Sequence, residues 1–148
     1  MRIPEYQISI KRTGSVNAET KKITNSRDAA AILREMFSTD TFLFQEEFII
    51  LCLNRANIVH GFYRVSRGGT TGTVADPKVI FTMALNTPGT CGLILSHNHP
   101  SGNPNPSPAD IELTKKLKES GKMLDINVLD HIILTDSGFT SLTDEGLI

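Results

Sequence analysis

The residues best suited to chemistry lie in one stretch, Ser96-His97-Asn98-His99-Pro100-Ser101-Gly102-Asn103-Pro104-Asn105-Pro106-Ser107-Pro108-Ala109-Asp110, which holds two of the four histidines in the chain. His97 and His99 are two apart at the end of an expected strand, so their side chains leave on the same side and two imidazoles can reach one ion. Asp110 falls in the first turn of an expected helix, where the helix dipole favours negative charge and the preceding loop can fold it back toward the histidines. Two nitrogens and one carboxylate leave a fourth tetrahedral position open, the layout of a catalytic zinc site; structural zinc sites are usually closed by four cysteine-rich protein ligands. Each half of the pattern has a plainer reading. Ser107-Pro108-Ala109-Asp110 fits a helix-capping signature, Ser followed three residues later by an acid, and two histidines in a polar loop are often a solvated surface feature. The combination His-x-His-x7-Ser-x2-Asp is much rarer than either half: at this composition, specified beforehand, it arises by chance in roughly 4 of 10,000 such chains.

The elements that must position these residues are read from periodicity and punctuation. Cys91 to Ser96 is a short apolar strand leading into the His97 to Pro106 loop, and Ser107-Pro108 opens a helix that Gly121 closes. Earlier, the run Phe48 to Leu53 directly after Glu46 reads as a central strand, joined through Asn54-Arg55-Ala56-Asn57 to a second strand, Ile58 to Ser66, as an antiparallel hairpin. Ser26 is placed to cap a helix with apolar positions Ala29, Ile32, Leu33 and Met36, ending near Ser38 to Asp40. Asp76-Pro77 starts another helix through Leu85, and strands follow at Asn127 to Leu134 and Phe139 to Leu142. Residues 1–22 are expected as an N-terminal arm or edge strand, on the alternation of Ile8 and Ile10 and the Gly14-Ser15 turn. The order βαββαβαββ describes one α+β domain, a mixed and mostly antiparallel sheet with packed helices, and lacks the regular alternation of a doubly wound nucleotide binder. Gly68-Gly69-Thr70-Thr71-Gly72 has no Lys-Ser or Lys-Thr ending of a phosphate loop and is expected as a mobile loop, a candidate lid.

Composition narrows the function classes. The chain has 148 residues, 39% of them hydrophobic, enough for one self-folding core. Fifteen Lys+Arg against sixteen Asp+Glu give a formal charge of -1, so no global basic field would hold nucleic acid or an anionic membrane. Lys115, Lys116, Lys118 and Lys122 form a basic strip that Glu112 and Glu119 partly offset, the pattern of a solvated helix face. No apolar run approaches the roughly 18 residues a membrane span needs, and Met1 to Glu5 opens no signal peptide; a cytoplasmic location is expected. Cys52 and Cys91 lie in apolar runs and read as small core residues, His131 as a satisfied core histidine beside Asp130, and His60 as a surface residue.

The joint pattern resembles the JAMM motif of the JAB/MPN metallopeptidases, and the form His97-Asn98-His99-Pro100-Ser101-Gly102 with Pro106-Ser107 resembles their bacterial RadC-like branch. The resemblance runs from about Ile23 to Ile148 and includes the Glu46 to Asn54 strand and Leu129-Asp130-His131-Ile132. It implies a cytidine-deaminase-like architecture and a zinc ion held by His97, His99 and Asp110. It also implies that Ser107 helps to bind an oxyanion and that Glu46 acts as general acid and base. Glu47 is the competitor, since strand alternation puts adjacent carboxylates on opposite faces. The implied activity is hydrolysis of a peptide or isopeptide bond by zinc-activated water, on a protein or peptide substrate that no segment identifies. Full-length members usually begin with a helix-hairpin-helix module associated with DNA, and the residues before Ser26 are expected to be too few to form one. The alternative functions are a non-enzymatic MPN-fold adaptor, or an accessory protein in DNA processing of the repair type the family name suggests. Open edge strands could support a homodimer.

Overall fold

A computed structural model describes residues 2–15, 22–68 and 75–148. The elements run α1 (Ser26–Arg34), β1 (Glu47–Leu53), β2 (Val59–Arg67), α2 (Pro77–Leu85), β3 (Gly92–Asn98), α3 (Pro108–Met123), β4 (Asn127–Leu134) and β5 (Phe139–Ser141). They build one five-stranded sheet in the order β2-β1-β3-β4-β5. Every neighbouring pair is antiparallel except β3 and β4, which run parallel because α3 carries the chain back along the sheet between them. The α+β, mixed-sheet expectation therefore holds.

Alternation along β1 divides the core into two layers. Ile49, Leu51 and Leu53 join Ile94, Ile132 and Leu134 against Ala29, Ala30, Ile32 and Leu33 of α1. On the other face Phe48, Ile50 and Cys52 join Leu93 and Leu95 against Ile80, Phe81 and Ala84 of α2 and Leu117 of α3. Strands covered on both faces need apolar side chains pointing both ways, which is why β1 and β3, buried at every position, carry unbroken rather than alternating apolar runs. The hairpin turn between β1 and β2 is held by Asn54, whose Oδ1 accepts from the N–H groups of Ala56 and Ile58, while Asn57 takes the left-handed conformation at φ 58°.

Several local expectations are corrected. Of the two alternatives for residues 1–22, arm or edge strand, no strand forms in residues 2–15, which are exposed and without regular structure; residues 1 and 16–21 lie outside the described residues, and Lys22 makes a single antiparallel bridge to Ile58. Alternation alone does not hold a strand that buries neither face. The first helix is capped by Asn25, not Ser26: the Asn25 side chain accepts from the Asp28 N–H at 3.0 Å. Asn and Ser cap about equally well, so the choice between neighbours was open. That helix also stops at Arg34, and the Met36 carbonyl is taken by the Arg64 guanidinium instead of a further helical turn. Gly121 does not close α3 but lies inside it, where a Cβ would sit 2.2 Å from the Ile126 carbonyl oxygen; the chain reverses later, at Asp125 with φ 54°. Cys52 is fully buried as expected, whereas Cys91 is only half-buried. The candidate lid falls mostly at 69–74, outside the described residues. No helix among the described residues is long and apolar enough to cross a membrane.

Candidate metal centre

The last turn of β3 delivers the first histidine. Following Leu93 and Leu95 on one face, His97 is 1% exposed and stacks on Phe48, its partner across the β1–β3 ladder, with ring centroids 6.0 Å apart and planes 4° from parallel. His99 lies just past the strand, pinned by its N–H to the Leu134 carbonyl, and its ring is half-buried. Between β3 and α3 the loop turns at Gly102, whose φ of 77° suits glycine, and Thr140 of β5 straps it by donating to the Pro104 carbonyl. The loop ends at Ser107, the N-cap of α3, so Asp110 returns to the histidines.

Three potential ligand atoms converge there. The Nε2 atoms of His97 and His99 are 2.9 Å apart, Asp110 Oδ1 is 3.5 Å from His97 Nε2, and Asp110 Oδ2 is 3.9 Å from His99 Nε2. A tetrahedral zinc with bonds of about 2.0–2.1 Å needs ligand separations of about 3.3 Å, close to these values. His97, His99 and Asp110 are the group of potential metal ligands found among the described residues, with ligand atoms within 4.8 Å of one another. The donors are also in the right state. The His99 Nδ1 atom is 2.7 Å from the Asn103 carbonyl, which can only accept, so a neutral His99 carries its lone pair on Nε2. Burial pushes the His97 imidazole down to about 4, against the pull of Asp110 and with help from His99, so at neutral pH it is the uncharged, ligating form.

The two carboxylate oxygens of Asp110 face different ways. Its Oδ2 accepts from the Ser107 N–H and hydroxyl, both at 2.7 Å, and its own N–H donates to Ser107 Oγ at 3.1 Å, a complete capping box. Its Oδ1 faces His97. The capping reading of Ser107 and Asp110 therefore holds, it leaves Oδ1 directed at His97, and the Ser107 hydroxyl is engaged by the carboxylate.

The two adjacent glutamates are separated by the sheet. Glu47 is 3% exposed and binds Arg64 at 2.7 Å and Arg67 at 3.2 Å, an ion-pair cluster on the face away from Phe48. Glu46 is half-buried one residue before β1, two residues from Phe48, which pairs with His97; strand alternation carried on past the paired residues would put it on the same side as Phe48. Its backbone is fixed from two sides, by Gly68 N–H on its carbonyl and by Gln45 bonding to Gly68.

Two residues make connections that sequence reasoning did not foresee. Asn98, between the histidines, points to the opposite face and ties the approach to β1 onto β3: its Oδ1 accepts from the Glu47 N–H, and its amide donates to the Phe42 and Gln45 carbonyls. Alternation through His97-Asn98-His99 was the available signal. His131 is indeed a buried, satisfied histidine, and its partners are Thr114 and His97 Nδ1, the latter at 2.8 Å. Burial, reinforced by His97 and His99, holds its imidazole well below the ordinary range. His60 is exposed and meets Thr90, remote in the fold from these groups.

Comparison with known proteins agrees with this geometry. The family model of the RadC-like JAB domain matches residues 23–147. A UPF0758 protein of Flavobacterium johnsoniae is 45% identical over 127 residues, covering 86% of this chain and 54% of that protein. Another from Enterococcus faecalis is 42% identical over 126 residues, 84% of this chain and 52% of that protein, and one from Desulforamulus reducens is 40% identical over 139 residues, 93% and 60%. The chain thus spans little more than half the length of these relatives. With a model match across nearly all of the folded region and the His97, His99 and Asp110 cluster in place, the chain belongs to the RadC-like JAB domain family.

Proposed function

We propose that the chain is a zinc-dependent hydrolase that cleaves a peptide or isopeptide bond. One observation carries the reading: two imidazoles at the C-terminal end of the central strand β3 and a carboxylate from the first turn of α3 converge, with ligand atoms within 4.8 Å of one another; three such ligands would leave a fourth tetrahedral position for water. His97, His99 and Asp110 would hold the ion. When bound, zinc supplies Lewis acidity, acidifying water and polarising a carbonyl. The remaining work falls to the chain. Glu46, two residues before the Phe48 that pairs with His97, takes a proton from the attacking water and delivers it to the leaving amine as the C–N bond breaks. Ser107 Oγ stabilises the developing oxyanion by turning its hydrogen from Asp110 Oδ2 to substrate, while the Ser107 N–H keeps the carboxylate in place. Phe48, stacked on His97, keeps that ring's inner side dry.

The test is Glu46→Gln assayed on a library of peptides and isopeptide-linked conjugates, with bound zinc measured in the same samples. Loss of cleavage with zinc retained supports the reading. Unchanged cleavage removes Glu46 from it, and zinc binding without cleavage by the parent protein favours an adaptor.

A further inference from the structure

We infer that Thr114 and His131 form a tautomer lock that keeps the ligating lone pair of His97 on Nε2; this deepens the metal reading and rests on it for its purpose, though not for its geometry. The deduction starts at a carbonyl. Thr114 Oγ1 is 2.6 Å from the Asp110 carbonyl oxygen, which can only accept, so the single hydroxyl hydrogen goes there. The 2.7 Å contact between Thr114 Oγ1 and His131 Nδ1 must then be donated by the ring. A neutral imidazole has one N–H, which leaves His131 Nε2 bare, and at 2.8 Å it accepts the Nδ1–H of His97. His97 is left with a bare Nε2, the atom that faces His99 and Asp110.

The chain of bonds begins and ends on the same residue. Asp110 offers its carboxylate to the ion and, through its own carbonyl, fixes the protonation of another ligand across α3, β4 and β3. His99 is fixed separately by the Asn103 carbonyl. Two lone pairs therefore meet at 2.9 Å with no hydrogen between them, an arrangement a cation relieves. Packing alone does not call for this pair: Thr114 and His131 are both 0% exposed in a layer otherwise built from Phe48, Leu95 and Leu117. Thr114 and His131 are positioning residues, acting on the ion only through His97.

Thr114→Val keeps the shape and removes the hydroxyl. His131 then has no acceptor at Nδ1, its hydrogen can move to Nε2, and His97 is driven to carry its own on Nε2, where it blocks the ion. Two measurements on the full chain test this. In chelator-stripped protein, 15N chemical shifts of the His97 ring are expected to show the Nδ1–H tautomer in the parent and in Thr114→Ser, and a shift toward Nε2–H in Thr114→Val. Zinc affinity by competition with a chromophoric chelator is expected to fall about 10–100-fold in Thr114→Val, with Thr114→Ser close to the parent. An Nε2–H tautomer in the parent, or parent-like affinity in Thr114→Val, overturns the lock. Should Thr114→Val fail to fold, the parent's tautomer decides alone. A parent with the expected tautomer but no affinity for zinc would overturn the metal reading and leave the lock standing.

Discussion

Ser107→Ala separates the two roles that one side chain is asked to fill. The substitution deletes the hydroxyl that donates to Asp110 Oδ2 at 2.7 Å and accepts from the Asp110 N–H at 3.1 Å, but leaves the Ser107 N–H, which holds the same Oδ2 at 2.7 Å. Loss of a serine N-cap costs about 1 kcal/mol, within a range of about 0.5–2. For a domain of this length that is a fall in Tm of roughly 2–4 °C. Because the backbone bond survives and Oδ1 is untouched, Asp110 stays in position and zinc affinity is expected to change less than about tenfold, below the usual effect of losing an outer partner. Catalysis should suffer far more, by about 100–1,000-fold, the cost of one oxyanion donor. The assay is a set of three on the same preparation: thermal melting, zinc titration and cleavage of whichever library peptide the parent cuts best. Cleavage that falls no further than the loss of folded protein explains would refute the oxyanion role and reduce Ser107 to a cap. Zinc binding lost as completely as in Asp110→Ala would refute the claim that the backbone positions the carboxylate.

Other consequences are equally open to measurement. Glu47→Gln should lower stability by about 1–3 kcal/mol in urea titration, less than a fully enclosed ion pair would cost because Arg64 and Arg67 are 40% and 49% exposed, and should leave zinc content unchanged; lost zinc would place Glu47 at the metal. Gly121→Ala should be among the most damaging of the helix substitutions, costing about 3 kcal/mol or more, since the new Cβ would meet backbone, the Ile126 carbonyl, at 2.2 Å; a change below 1 kcal/mol in urea titration would show that the helix end yields. The zinc-free protein should lose stability as pH falls below 6.5. There the unfolded chain's histidines take up protons while His97 stays neutral down to about 4. The folded value is depressed, so stability is full above 6.5 and declines toward 4 at about 1.4 kcal/mol per pH unit for each such histidine. Urea midpoints that do not move between pH 7 and pH 5 would contradict this.

What the sequence made legible follows from how locally each feature is determined. The clustering of His97, His99 and Asp110, a group that could hold a metal, was legible because the two histidines share a strand end and Asp110 is fixed by a capping pattern a few residues on, so local rules of strand alternation and helix start suffice. The central strands could be read because burial on both faces leaves an unbroken apolar run. Residues 2–15 left arm and edge strand both open, since they have the alternation of a strand but are exposed and bury neither face. Gly121 was read as a terminator because glycine at the end of a helix usually is one; its true reason is a close approach by Ile126, a contact made only after the chain turns back. His131 was legible as a satisfied core histidine, but its bond to His97 was not, nor were the bonds by which Asn98 ties the start of β1, because only the assembled sheet brings these groups within reach.

The most direct test of a metal centre is elemental analysis of the purified chain beside His97→Ala and Asp110→Ala prepared identically. One zinc per chain in the parent, lost in both variants that still fold, is the expected result. A parent without zinc even after resupply, or variants that retain it in full, would contradict the assignment of His97, His99 and Asp110 as ligands.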